Sequence, residues 1–96
     1  MLEAEARIAT NEASRTLTEM ALAWNHTYPV RYDAITAEVE LPGAELVMTA
    51  DGDSLSLRLV GRDAEAFEAA KNAVADHVDR AAGYRTGVRC DWNQLS

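Results

Sequence analysis

The sequence holds one cysteine, Cys90, so no disulfide can close within the chain and nothing in it implies an oxidising compartment. Long apolar runs are also missing. The longest, such as Met20-Ala21-Leu22-Ala23-Trp24, fall far short of the roughly 20 residues that a membrane-spanning helix needs. The start, Met-Leu-Glu-Ala-Glu-Ala-Arg, lacks the basic and then apolar stretches of a signal peptide, and a cytoplasmic location is the expectation. Basic residues are scarce: nine Lys and Arg face sixteen Asp and Glu, a net charge of −7. A phosphate backbone or an anionic lipid surface is repelled by such a chain at long range, so neither nucleic acid nor membrane is an expected partner. The five glycines are scattered at turn positions rather than gathered into a phosphate-binding loop. No linker, internal repeat or low-complexity tract interrupts the chain.

What remains is the composition of an ordinary globular protein. Its 96 residues, 48% hydrophobic and 26% charged, predict a single domain over residues 1–96, with one core. Thr10 or Asn11 can cap a first helix, in which Ala13, Leu17, Met20, Ala21 and Trp24 fall on one face. Pro29 requires that helix to stop near His26 or Thr27. The period then changes to two. Ile35, Ala37, Val39 and Leu41 alternate with polar residues, Pro42-Gly43 makes a turn, and Leu46, Met48 and Ala50 continue the alternation. Asp51-Gly52 then marks a hairpin into Leu55, Leu57 and Leu59. Val30 to Tyr32 is a candidate short strand. Asp63 caps a second helix whose apolar positions are Phe67, Ala70, Val74, Val78 and Ala81, and Gly83 is its natural stop. Val88, Cys90 and Trp92 alternate as a last strand. The expected fold is α+β in the order α-β-β-β-α-β, with two helices packed on one face of a mainly antiparallel sheet of three to five strands.

Several segments, taken in order, carry a family likeness. They are Arg7-Ile8-Ala9-Thr10, Ala13-Ser14-Arg15, Pro29-Val30-Arg31-Tyr32-Asp33, Ala50-Asp51-Gly52-Asp53-Ser54-Leu55 and Ala73-Val74-Ala75-Asp76-His77-Val78-Asp79-Arg80. In that order and spacing the chain resembles the bacterial domain of unknown function 2218 family. The resemblance implies a small bacterial protein whose relatives are often encoded near genes for siderophore and iron handling, which is association rather than mechanism. Residue by residue, His26, His77 and Arg80 carry over. Two departures stand out. Ala23 occupies the position where the family has the first of two histidines three residues apart. Tyr84-Arg85-Thr86 stands where the family has an aromatic, an arginine and a glutamate.

His77 lies on the flank of the second helix's apolar stripe, where an imidazole can ligate a metal or move a proton. The plainer reading is a core-edge histidine. His26 falls where the first helix ends and complements its dipole there. A metal site would need His26 and His77 to converge with a third ligand such as Asp33, Cys90 or Asp91, and none of these has a recognised ligand spacing. Neither metal nor cofactor is therefore expected. Cys90 alternates with Val88 and Trp92 and reads as a core thiol rather than a nucleophile. Trp24 and Trp92 read as core, with a groove between the helices as the place where one of them would line a pocket.

No nucleophile and base stand together. The expected function is accordingly non-enzymatic: a module for an unknown small ligand or protein partner, with His26, His77, Arg80, Trp24 and Trp92 as candidate contacts. The alternative is a small enzyme in which His77 is the acid/base and Arg80 or Arg85 holds an anionic substrate. Val47 and Val60 fall on the wet face of the sheet, where their clustering would suit a homodimer.

Overall fold

A computed structural model describes residues 2–78 and 92–94. Its elements are β1 (Leu2–Ala9), α1 (Ala13–Asn25), β2 (Val30–Tyr32), β3 (Thr36–Leu41), β4 (Ala44–Ala50), β5 (Ser54–Gly61), α2 (Ala64–Val78) and β6 (Asn93–Gln94). Among the described residues the strands form one antiparallel sheet in the order β2-β3-β4-β5-β1-β6. Five strands of three residues or more carry it, and the two-residue β6 extends one edge. The fold is α+β, with both helices on one face.

Period-two patterning decides which face that is. Ala4, Ala6 and Ile8 of β1 stand opposite Leu59, Leu57 and Leu55 of β5, which in turn stand opposite Leu46, Met48 and Ala50 of β4. Ala37, Val39 and Leu41 of β3 complete the same surface. All of these are buried. Against them α1 sets Ala13, Leu17, Met20, Ala21 and Trp24, and α2 sets Phe67, Ala70, Val74 and Val78. Burying each large apolar side chain contributes about 1.5–3 kcal/mol relative to exposing it, so this sandwiched layer is what holds the helices down. No helix among the described residues is long and apolar enough to cross a membrane.

Local chemistry sets the boundaries. The Asp63 carboxylate accepts a bond from the Ala66 N–H at 2.8 Å, capping α2 as its position predicts. The α1 entry is arranged differently: the Thr10 hydroxyl accepts from the Glu12 N–H at 3.1 Å, and Glu12 occupies the cap position with its carboxylate paired to Arg15 at 3.3 Å rather than capping a backbone N–H. At the far end of α1 the Trp24 carbonyl accepts from both Thr27 and Tyr28, just before Pro29. The turn between β3 and β4 needs Gly43, whose φ of +71° suits the third position of a type II turn after proline.

Two features depart from the expected pattern. The fold opens with a strand, so its order is β-α-β-β-β-β-α-β over the described residues. The alternation in Leu2-Glu3-Ala4-Glu5-Ala6-Arg7-Ile8 is regular, but alanine and glutamate favour helices and are poor strand formers. Ile35 does not join the inward row of β3; it is 58% exposed. The Asp33 carboxylate accepts bonds from the Ile35 and Thr36 N–H groups, both at 2.9 Å, and this turn holds Ile35 outside the strand. The expected strand over Val88 and Cys90 lies outside the described residues, as do Ala81 and Gly83.

Candidate functional site

The helix side and the sheet side of the molecule offer different chemistry. On the helix side Trp24 of α1 and His77 of α2 meet, their ring centroids 4.4 Å apart and their planes tilted by 52°. Trp24 is only 3% exposed and His77 is half-buried, so the indole closes the space between the helices instead of lining an open groove. His26 is exposed at the end of α1 in right-handed helical geometry. Two residues beyond Trp24, it is turned about 200° round the helix axis and leaves the face that meets His77. Among the described residues no group of three or more His, Cys, Asp or Glu is placed to hold a metal ion.

Trp92 precedes β6, half-buried and packed against the core cluster. Its indole Nε1–H donates to the Lys71 carbonyl of α2 at 3.2 Å, which satisfies the polar end of the ring. The Lys71 ammonium lies 5.6 Å from the centre of the Phe67 ring and 3.4 Å from the Glu68 carboxylate, so this part of α2 is tied together by its own contacts. Arg80, Arg85, Cys90 and Asp91 lie outside the described residues. Asp33 is committed to its turn.

The sheet side is open. Its outward residues include Glu38 and Glu40 of β3, Glu45, Val47 and Thr49 of β4, Ser56, Arg58 and Val60 of β5, and Glu3, Glu5 and Arg7 of β1. Val47 stands opposite Arg58 and diagonal to Val60, which faces Glu45. The two valines are thus neighbours, half-buried among charged side chains. Beside them lies a depression of about 560 Å³ lined by Glu5, Arg7, Val47, Thr49, Ser56 and Arg58 together with Asn93. Arg7 Nε donates to the buried Ser54 hydroxyl at 3.2 Å. Arg58 pairs with Glu3 at 2.9 Å, and Arg31 of β2 with Glu38 at 3.0 Å. Exposed pairs of this kind are worth about 0–1 kcal/mol, so they arrange the guanidinium groups more than they hold the fold.

Sequence reasoning places Glu38, Glu40, Val47, Ser56, Arg58 and Val60 on a wet face, but not Glu3, Glu5 and Arg7 of β1 beside them. The signal that finds Glu5 and Arg7 is the alternation of β1.

The architecture defines a class: a small α+β protein that, over the described residues, sets its helices on one side of an antiparallel sheet and leaves a polar sheet face open on the other. The chain belongs to the bacterial family of domain of unknown function 2218, described as uncharacterized protein conserved in bacteria, whose model matches residues 5–93. It is similar to the NMR structure of PA4090 from Pseudomonas aeruginosa, with a TM-score of 0.79 and 20% identity over 97% of this chain and 96% of that one. At that identity the likeness shows the fold alone. No curated protein matches the chain.

Proposed function

We propose that this protein is a non-enzymatic binding module whose working surface is the open face of the sheet. The observation that carries this reading is a contrast in how polar groups are used. Trp24 and His77 are packed on each other between the helices, whereas Arg7, Arg58, Thr49 and Ser56 border a depression open to solvent. A bound partner needs a few placed polar groups around apolar contact area, and the two half-buried valines with the flanking guanidinium and hydroxyl groups supply both.

The family's association with iron and siderophore genes makes ferric siderophores the first small molecules to try, followed by other small anions that arginines would hold. Amide shift mapping on isotope-labelled protein tests the reading. Perturbations are expected to gather on β3, β4, β5 and β1. Perturbations centred on Trp24 and His77 would overturn it and favour the small enzyme that uses His77 as acid/base.

A further inference from the structure

The charges across the middle of the open face run in an order that is its own complement. Cross-strand register places Arg31 of β2, Glu38 of β3, Val47 of β4, Arg58 of β5 and Glu5 of β1 in a single row. From β2 to β1 the signs are plus, minus, neutral, plus, minus. Reversed about Val47, every plus meets a minus: Arg31 falls on Glu5, Glu38 on Arg58, and Val47 on itself. A patch that matches its own reverse is what a two-fold interface requires, since each residue must suit the residue that its own partner position presents.

We infer that the occupant of the sheet face is a second copy of this chain, packed sheet against sheet about a two-fold axis that runs along β4. The inference rests on the reading of that face as the working surface and names its partner. The dimensions allow it. Neighbouring strands lie about 4.8 Å apart and stacked sheets about 10 Å apart, a gap that facing arginine and glutamate side chains can bridge. Aligned sheets cross at about 30°, which displaces the outermost pair, Arg31 and Glu5, by roughly 5 Å, within the compass of a flexible arginine. The six strands, two to eight residues long, present about 550 Å² from each copy at these spacings. The total of about 1,100 Å² lies below standard interfaces and just above the roughly 1,000 Å² that a biological interface needs. The net charge of −7 on each copy and Glu45 of β4, which an axis along that strand sets against its own copy, oppose the encounter, and the matched row works against that repulsion. The dimer is therefore weak, dissociating in the micromolar range.

Sedimentation equilibrium from about 5 to 500 µM, a range that brackets weak micromolar dissociation, tests the inference with two charge reversals. Arg58→Glu sets glutamate against Glu38 of the other copy, and Glu38→Arg sets arginine against Arg58. Each variant alone is expected to lose at least about tenfold in self-association, because like charges then face each other. Mixed in equal amounts, the two should recover association to within about threefold of wild type, because in the mixed pair every plus again meets a minus. Folding damage would not be repaired by mixing, and melting of each variant near the wild-type midpoint confirms its integrity. A wild type that stays monomeric throughout, or single variants that associate like their mixture, would overturn the inference. In that event ligand shifts on the sheet face leave the binding-module reading standing, while shifts around Trp24 and His77 remove that reading as well.

Discussion

Trp24 and His77 meet across the two helices with ring centroids 4.4 Å apart, joining the last turn of α1 to the last described turn of α2. An aromatic contact of this kind is worth about 0.5–1.5 kcal/mol beyond its buried area. His77→Ala is expected to lower the melting midpoint by about 4 to 8 °C, taking roughly 1 kcal/mol in a domain of this size. Trp24→Ala opens a cavity under both helices and should cost about 3–5 kcal/mol. Thermal melting followed by circular dichroism checks both values. A His77→Ala midpoint equal to wild type would show that the ring contact does not contribute to the fold.

Two glycines at hairpin turns should respond differently to the same change. Gly43 has φ +71°, and a Cβ there would come 2.6 Å from the Ala66 Cβ at the start of α2. Backbone strain and overpacking act together, and Gly43→Ala should cost about 2–4 kcal/mol. A Cβ on Gly52 would meet nothing within 4 Å, so Gly52→Ala should change stability by less than about 0.5 kcal/mol. Urea denaturation of the two variants distinguishes them, and equal midpoints would contradict the geometry at Gly43.

Where hydrophobic period and turn chemistry coincide, the elements could be read without the structure. Pro29, Pro42-Gly43, Asp51-Gly52 and Asp63 mark the ends of α1, β3, β4 and the start of α2 because each acts on backbone geometry within two or three residues. β1 was hidden because its inward positions are mostly alanine, which carries the alternation but little strand preference. The two-residue β6 has no apolar residue to mark it. The charged row on the open face was illegible for a different reason. Arg31 and Glu5 are separated by almost the whole sheet, and only the strand order β2-β3-β4-β5-β1 puts them at opposite ends of one line. The pairing of Trp24 with His77 likewise depends on how the two helices are set against each other.

Divalent iron, zinc and manganese should not stabilise the protein appreciably. A ligand at one hundred times its dissociation constant contributes about 2.7 kcal/mol if it binds the folded state alone, equivalent to roughly 10 to 20 °C here. No cluster among the described residues supplies three ligands. Melting with and without each metal is the check. A shift of that size in wild type that vanishes in both His26→Ala and His77→Ala would establish a metal site.

The division of labour between the two sides of the sheet is tested most directly by comparing Arg58→Glu with His77→Ala in two assays, thermal melting and amide shift mapping of association. Arg58 pairs with Glu3 at an exposed position and stands opposite Glu5, so its reversal should cost about 1 kcal/mol, a midpoint change no larger than that of His77→Ala, while removing the concentration-dependent shifts on β3, β4, β5 and β1. His77→Ala should lower the midpoint by about 4 to 8 °C and leave those shifts in place, so the shifts are what separate the two variants. If His77→Ala abolishes association while Arg58→Glu preserves it, the working surface lies on the helix side and the account is wrong.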